Sequence, residues 1–462
     1  MPENSSKKRV WEKWVKETVL ADILAEETPD PVPMIDESGT ELEMTEEYDS
    51  YRLGRGSGDY LYILYLLDQP AKKAADVVPV YVGETGNTAS RLLDHFRRLR
   101  DALPISEWED DGSWGSYGKY DHIATVHERV DAPLCAWIVD VNDIETGPYG
   151  YPTYRHELEA KTVGLIHSHP RFNRVFANRD FVPNRVPHEM GKVGPEWVDL
   201  EAESPNEEAK MAADKRGRDL RQKSKSDLWY DWIAQTLHQE IHHSDEADPI
   251  PLFKTDNNLT VQLKTAGSST VLSRTEDIDA RIRHEGKRCV HSDGVTDGPN
   301  GLLYIMYQLA SDDPSPEDII PRYIGKAEGY GKKNELSANF EEIAKDRNST
   351  RSFARWGDGS FWHIGELSET VFGDDAKKLA WASELFEQGT HQLKEQTYLW
   401  VRAWDPEDYP GPYGYPAYLA EVEALLIGLA HEAYPHKLLN HKEVPDESPA
   451  NNTEFTFQPV NE

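Results

Sequence analysis

Cysteine and positive charge are both scarce in this chain. Cys135 and Cys289 are its only two cysteines in 462 residues, which argues against a disulfide framework and against a cysteine-based zinc cluster. Lys and Arg number 50 against 83 Asp and Glu, giving a formal net charge of −33. Such an excess predicts a protein that works where salt screens self-repulsion, as in a halophilic cytoplasm. An acidic face that mimics or repels DNA is the alternative.

Long apolar runs and a secretory leader are also missing from the sequence. The longest apolar run, Tyr60–Leu67, has the length of a strand and is too short to cross a bilayer. The first residues run through polar positions into Lys7-Lys8-Arg9, without the apolar stretch of a signal peptide. We therefore expect a cytoplasmic protein that has no membrane partner.

The chain does contain an internal duplication. Val10-Trp11-x-x-Trp14-Val15 returns as Leu228-Trp229-x-x-Trp232-Ile233, and Pro148–Pro152 returns as Pro412–Pro416. Between these lie two further pairs: Tyr62–Tyr65 matches Tyr304–Tyr307, and Tyr81–Gly83 matches Tyr323–Gly325. The order is kept while the offset grows, so the second copy has gained loops. A repeat of this length predicts two structural modules.

The repeat sets the expected domain boundaries. Repeat 1 covers 1–178, with a lead helix over 10–26 and a module over 58–178. A charged linker follows over 179–227. Repeat 2 covers 228–445, with a lead helix over 228–241 and a module over 300–445. The polar residues 446–462 are expected to form a disordered tail.

Hydrophobic patterning predicts the elements of repeat 1. The β-rich runs Tyr60–Leu67 and Val78–Val82 predict an antiparallel pair, and Ala136–Val141 predicts a third strand. Thr88–Ala102 and Tyr154–Ser168 have helical spacing, the former with a basic face. The fold class is therefore α+β (α/β), in which each module is a small three-stranded antiparallel sheet flanked by helices, with an added N-terminal helix per repeat.

The ordered motifs resemble those of the GIY-YIG endonuclease family. Repeat 1 has Tyr62-Ile63-Leu64-Tyr65, then Tyr81-Val82-Gly83, then Arg91 ten residues after Tyr81. A helix with glutamates and the run Pro170-Arg171-Phe172-Asn173 follow. The family's first glycine is absent, since Tyr60 holds its place in repeat 1 and Leu302 in repeat 2. Each motif alone is weak, and the evidence lies in their order and their repetition.

The resemblance implies a site that hydrolyses phosphodiesters. In such a site a tyrosine acts as base, an arginine clamps the phosphate and one helix glutamate holds Mg²⁺ or Mn²⁺. A guanidinium can hold two phosphate oxygens at once, which an ammonium cannot. The catalytic residues expected in repeat 1 are Tyr62, Tyr81, Arg91, His95, Glu159 and Asn173.

Two glutamates compete for the role of metal ligand. Glu157 and Glu159 both recur in repeat 2, as Glu421 and Glu423. Residues two apart on a helix point in nearly opposite directions, so only one of them faces the sheet. Glu159 shares the apolar face of its helix, whereas Glu157 groups with Lys161. We assign the metal to Glu159 and keep Glu157 as the alternative.

Repeat 2 departs from the pattern at the phosphate clamp. Its matching site residues are Tyr304, Tyr323, Lys326, Glu423 and Asn440. Lys326 matches a lysine that often follows the second motif in the family. Glu335 stands in the place of Arg91, and Asn339 in that of His95, on what is expected to be the equivalent helix. A carboxylate repels phosphate, so we expect repeat 2 to be degenerate.

The functional hypothesis is a metal-dependent endonuclease that cuts DNA, with repeat 1 as the main catalytic copy. The alternative, motivated by the net charge, is a catalytically impaired protein that binds or mimics DNA. Two fused modules imitate a homodimer, so the chain is expected to be a monomer with an internal pseudo-twofold axis.

Overall fold

The computed structural model describes most of the chain. The described residues are 4–24, 32–36, 43–67, 73–102, 118–130, 132–169, 171–173, 175–178, 180–182, 222–243, 249–290, 298–331, 335–347, 352–357, 362–373, 375–445 and 448–460. They divide into two compact units: unit 1 extends to Val182 and also takes in Gln222, and unit 2 begins at Lys223. Most of the expected linker, 179–227, lies outside the described residues.

Unit 1 combines helices with a largely antiparallel sheet. Its elements are α1 (Asn4–Glu17), α2 (Val19–Leu24), β1 (Val32–Pro33), β2 (Ile35–Asp36), β3 (Glu43–Met44), α3 (Glu46–Gly54), β4 (Ser57–Leu67), β5 (Val77–Asn87), α4 (Thr88–Arg100), α5 (Lys119–Val130), β6 (Leu134–Asp140) and α6 (Arg155–His167).

Three long strands form the core of the unit 1 sheet. β4 lies between β5 and β6, antiparallel to both, and the short β1 adds to the far side of β6. Leu61–Leu67 are each at most 1% exposed. Both faces of β4 are therefore covered, which explains why the segment reads as a continuous apolar run. The antiparallel sheet expected from the sequence is present, although β5 extends past its expected end at Val82.

Unit 2 repeats this sheet with additional elements. They are α7 (Lys225–Gln235), α8 (Leu237–His243), β7 (Leu263–Ala266), β8 (Ser269–Leu272), α9 (Glu276–Cys289), β9 (Gly301–Leu309), β10 (Ile319–Glu328), α10 (Glu341–Ala344), α11 (Trp362–Phe372), α12 (Leu379–Leu385), β11 (Thr397–Ala403), α13 (Leu419–Ala433) and α14 (Pro449–Asn452). β9 lies between β10 and β11, antiparallel to both. The β7–β8 hairpin is a separate two-stranded sheet and accounts for part of the larger offset.

The two lead helices are broken at equivalent threonines. The Thr18 hydroxyl donates to the Trp14 carbonyl at 2.7 Å between α1 and α2. Thr236 donates to the Trp232 carbonyl at 2.7 Å between α7 and α8. A threonine bonded to the carbonyl four residues back weakens and bends a helix. The expectation of one continuous lead helix, over 10–26 and over 228–241, was therefore wrong at the same place in both units.

Tryptophans dock each lead helix on the third strand of its sheet. Trp14 and Trp137 meet edge to face at 6.1 Å, and Trp232 and Trp400 do the same at 6.1 Å. The Trp137 indole donates to Asp22 at 2.7 Å. The Trp400 indole likewise donates to Glu240 at 2.9 Å. The sequence repeat is thus also a repeat of tertiary contacts within each unit.

Two expectations about unit 2 are corrected by the structure. Residues 335–340 do not form the helix on which Glu335 was aligned with Arg91, because this segment is a turn with a bridge between Tyr330 and Leu336. The tail was expected to be disordered, yet 448–460 is described and packs on the core through Phe455, Phe457 and Val460. The Val460 amide donates to the Val371 carbonyl at 2.8 Å. Among the described residues, no helix is both long enough and apolar enough to cross a membrane.

Candidate active site

Two tyrosines on neighbouring strands form the floor of the unit 1 site. Tyr62 pairs with Gly83 across β4 and β5, and the Tyr62 and Tyr81 rings lie 6.2 Å apart. The Tyr62 ring crosses over Gly83, so a Cβ at that position would collide with the Tyr62 hydroxyl. This contact explains why the second motif carries glycine. Tyr62 is fully buried, whereas Tyr81 is 7% exposed.

His95 links Tyr62 to a third tyrosine. Its Nε2 lies 2.7 Å from the Tyr62 hydroxyl, and its Nδ1 lies 3.1 Å from the Tyr120 hydroxyl. Burial and the charge of Lys119 hold the pKa of His95 well below its usual range. The imidazole is therefore neutral, with one nitrogen donating and the other accepting.

Arg91 fixes the direction of this network. The Arg91 Nε donates to the Tyr62 oxygen at 3.4 Å. The arrangement that gives every hydrogen a partner has Tyr62 donating to His95 Nε2 and His95 Nδ1 donating to Tyr120. Arg91 itself is exposed.

Lys119, at the start of α5, holds the second tyrosine. Its ammonium donates to the Tyr81 hydroxyl at 3.1 Å. Burial and the nearby Arg91 lower the pKa of Lys119 to about 8. Burial and the charge of Glu159 raise the pKa of Tyr81, while Arg91 opposes the shift. The tyrosines thus share their surroundings with the cations Arg91 and Lys119 and with carboxylates, among which Glu159 has the largest effect on Tyr81.

Glu159 lies close to two further side chains that could bind a metal. Glu84 from β5 and His156 and Glu159 from α6 each offer a ligand atom, and these atoms all lie within 4.8 Å of one another. Burial and the neighbouring Glu84 raise the pKa of Glu159 to about 8, although part of its side chain still reaches solvent. Two carboxylates and one imidazole are a donor set that fits a divalent ion.

Glu157 has a different role from Glu159. It lies 2.8 Å from Lys161 one turn along α6, and both side chains are fully buried. The predicted grouping of Glu157 with Lys161 is present. The reasoning that only the Glu159 side of the helix is buried was wrong, because α6 is buried on nearly all faces. Glu157 instead forms a buried ion pair, which leaves Glu159 as the carboxylate beside Glu84.

The site asparagine is Asn178 rather than Asn173. Asn173 is exposed in a turn. The Asn178 amide accepts from the Val82 N–H at 2.8 Å and donates to the Val82 carbonyl at 2.7 Å. Asn440 brackets Ile324 in the same way, at 3.0 and 2.8 Å. The assignment of Asn173 as the partner of Asn440 was therefore wrong, and each asparagine secures the strand that carries the second tyrosine.

Unit 2 rebuilds the tyrosine–histidine pair from another place in the chain. Tyr304 pairs with Gly325, and its hydroxyl lies 3.0 Å from the Nε2 of His363. His363 lies near the start of α11, whereas His95 lies on α4, which directly follows β5. The Tyr323 and His363 rings are 5.4 Å apart. Asn339 therefore does not mark the loss of the imidazole.

Cations also reappear beside the tyrosines of unit 2. Burial raises the pKa of Tyr304 and of Tyr323, and Arg355 opposes both shifts, as Arg91 does for Tyr62 and Tyr81. Arg355 has a left-handed backbone, with φ of 66°, which is uncommon outside glycine. The Lys378 ammonium lies 5.7 Å from the centre of the Tyr323 ring. A guanidinium thus contributes to the electrostatics of both tyrosines in unit 2, although Glu335 stands at the aligned position.

The two units differ at the carboxylate corner, by which we mean Glu84, His156 and Glu159 in unit 1 and the residues that match them in unit 2. The α6 and α13 helices have equivalent N-cap tyrosines, Tyr154 and Tyr418, so Glu423 matches Glu159 and Ala420 matches His156. Lys326 stands in the place of Glu84. Its ammonium lies 3.5 Å from Glu423 and 3.1 Å from Glu328. Burial and Glu443 raise the pKa of Glu423 to about 8, and Lys326 opposes the shift.

Several site residues could not be found by motif. Lys119 and Tyr120 belong to no recognisable sequence motif. Arg355 and His363 lie at sequence positions that do not align with those of Arg91 and His95. Asn178 carried a usable signal, because two apolar residues precede it just as Leu438 and Leu439 precede Asn440. No known family model matches the chain, and neither does any curated protein or solved structure.

Proposed function

We propose that the chain is a metal-dependent endonuclease that hydrolyses phosphodiester bonds in DNA, with unit 1 as the catalytic copy. The observation that carries the proposal is the convergence of Tyr62, Tyr81, Arg91 and His95 beside Glu159, at the edge shared by β5 and α6. The GIY-YIG resemblance of the motifs supports the same chemistry.

Hydrolysis of a phosphodiester requires a base for the attacking water. Tyr81 suits this role better than Tyr62, because Tyr81 is 7% exposed while Tyr62 is fully buried. Tyr81 must first lose its own proton to solvent water, and the phenolate can then take a proton from the attacking water. The Lys119 ammonium, 3.1 Å away, stabilises the resulting phenolate. Tyr62, His95 and Tyr120 then act as positioning residues that hold the floor of the site rigid.

The second requirement is stabilisation of charge on the phosphoryl oxygens. The exposed Arg91 presents a guanidinium whose Nε is anchored on Tyr62 at 3.4 Å. A fixed donor at a site of developing charge contributes roughly 10²–10³ in rate. Glu84, His156 and Glu159 would hold the divalent ion. When bound, the ion supplies positive charge to the phosphoryl and leaving oxygens and offsets the charge of Glu159 beside Tyr81.

Unit 2 serves this proposal as a non-cutting copy. Its tyrosines, imidazole and a guanidinium are present. We therefore attribute the inactivity of unit 2 to the loss of metal ligands and no longer to the loss of the phosphate-binding arginine. Lys326 and Ala420 stand where unit 1 has Glu84 and His156. We propose that unit 2 contributes to holding DNA while unit 1 cuts.

Nicking of supercoiled plasmid by the full chain tests the proposal. The assay uses Mn²⁺ or Mg²⁺ across a range of salt, because a protein of charge −33 is repelled by DNA when salt is low. Arg91→Ala should slow nicking by roughly 10²–10³-fold. Arg97→Ala is the matched control, since Arg97 is exposed on the same helix. Wild-type nicking by Arg91→Ala would contradict the proposal.

The net charge of −33 favours a second candidate, a protein that binds or mimics DNA without cutting it. The same assay separates the two functions. Plasmid that is retarded on a gel but never nicked, under every metal and salt condition, supports binding alone. Competition with DNA for basic proteins, without any shift of the plasmid, supports mimicry.

A further inference from the structure

The metal ligands expected in unit 1 form a richer set than one glutamate. His156 Nδ1 lies 3.5 Å from Glu84 Oε1, and one ligand atom from each of these residues and from Glu159 lies within 4.8 Å of the others. The other oxygen of Glu84, Oε2, forms an ion pair with Arg155, whose Nε lies 2.6 Å away. Arg155 is held in turn by Asp59 at 2.7 Å. An outer partner of this kind fixes the orientation of a metal-binding carboxylate.

The corresponding corner of unit 2 already contains a positive charge. Lys326 replaces Glu84 at the same register of its strand, and its ammonium lies 3.5 Å from Glu423, the counterpart of Glu159. Ala420 replaces His156, so one carboxylate of the three-ligand set remains. The difference lies at the helix glutamate: Glu423 has an ammonium within 3.5 Å, whereas Glu159 has no ion pair among the described residues, since Arg155 pairs with Glu84 instead. This difference indicates that the corner needs a cation and that unit 1 takes its cation from solution.

We propose that Glu84, His156 and Glu159 form a single divalent-metal site that prefers Mn²⁺ to Mg²⁺, and that Lys326 takes the place of the metal in unit 2. Mg²⁺ is usually bound through one or two carboxylates and waters, whereas an imidazole ligand favours transition ions. Each of the three side chains is partly exposed, so an ion can enter from solvent. The inference deepens the proposed function by naming the ligands, the class of metal and a stoichiometry of one ion per chain.

Mn²⁺ binding to the full chain without DNA tests the inference. An EPR titration at a salt concentration that screens weak surface binding should give one tight Mn²⁺ per chain. Pulsed EPR should detect one imidazole nitrogen on that ion. His156→Ala should abolish the nitrogen signal and weaken Mn²⁺ binding by about tenfold or more, while Mg²⁺ binding changes little. His284→Ala is the control, because His284 is exposed and lies in unit 2.

Variants of the second corner complete the test. Glu159→Gln should remove the tight ion, and Glu423→Gln should leave one ion bound. Lys326→Glu combined with Ala420→His should raise the stoichiometry to two, whereas Lys326→Ala should leave it at one. If the double variant does not fold, the Glu423→Gln and His156→Ala results decide.

Three results would overturn the inference: two tight ions in the wild type, loss of the ion in Glu423→Gln with retention in Glu159→Gln, or a nitrogen signal that survives His156→Ala. Binding and cleavage are read separately. One bound Mn²⁺ without nicking would refute the proposed function and leave the metal site standing. Mn²⁺-dependent nicking by a chain that binds no tight Mn²⁺ through Glu84, His156 and Glu159 would refute the metal site and leave the proposed function standing.

Discussion

Asn178 is predicted to secure the strand that carries Tyr81. Its amide both accepts from and donates to Val82, at 2.8 and 2.7 Å. In the described part of the chain β5 is the edge strand of the unit 1 sheet, and no strand there pairs with Val82 on its outer side. The perturbation is Asn178→Ala, which removes both bonds while Val82 stays fully buried.

The expected cost follows from the two backbone groups left without partners. A buried group that loses its partner costs about 1–3 kcal/mol. Two groups therefore give roughly 2–6 kcal/mol, and water entering at the sheet edge favours the lower half of that range. We expect about 3 kcal/mol, which corresponds to about 10²-fold faster hydrogen exchange for amides that open with this edge.

Hydrogen-exchange mass spectrometry on the full chain measures this effect locally. Asn178→Ala should speed exchange in β5 and leave β10 unchanged. Asn440→Ala should do the opposite, since Asn440 brackets Ile324 at 3.0 and 2.8 Å. Asn173→Ala is the matched control and should change neither strand, because Asn173 is exposed. If Asn173→Ala destabilised β5 and Asn178→Ala did not, the structural equivalence of Asn178 and Asn440 would be wrong.

Three further predictions concern the site and the whole chain. Burial lowers the pKa of Lys119 from 10.5 to about 8, so between these pH values the unfolded chain binds a proton that the folded unit releases. Stability should therefore rise with pH across that window, and denaturation at pH 8 and pH 10 should show a flatter rise in Lys119→Met. Gly83→Ala should push Tyr62 off His95 and cost about 1–3 kcal/mol by overpacking, with Gly325→Ala acting likewise through Tyr304; normal exchange in both sheets would refute this. Light scattering should give a monomer near 52.6 kDa, and a mass of twice that value would contradict the fused-module interpretation.

Local pattern was enough to predict the sheet and the two tyrosines. The apolar run at Tyr60–Leu67 gave β4 because a strand covered on both faces has no reason to alternate. Tyr62, Tyr81, Arg91 and His95 meet because two paired strands and the helix that follows them are consecutive in the chain. Their geometry depends on short-range order, which a motif captures.

The remaining site residues depend on tertiary contacts that sequence spacing does not encode. Arg355 and His363 come from a different part of unit 2 than Glu335 and Asn339, the residues aligned with Arg91 and His95. Alignment by position therefore indicated that the cation and the imidazole were lost, whereas the fold brings both beside the tyrosines. The helix was likewise misplaced over Glu335–Phe340, where a bridge between Tyr330 and Leu336 closes a turn. The polar composition of the C-terminal tail predicted disorder. That prediction was wrong because a few apolar side chains, such as Val460, pack the tail against the core of unit 2.

Single-turnover cleavage of supercoiled plasmid in Mn²⁺ is the most direct test of the central claim, that unit 1 cuts and unit 2 does not. Wild type, Glu159→Gln and Glu423→Gln are compared in parallel. We expect open circles to accumulate before linear DNA in the wild type and in Glu423→Gln, and we expect no nicking by Glu159→Gln. Direct conversion to linear DNA that is lost in Glu423→Gln, or undiminished nicking by Glu159→Gln, would contradict the claim.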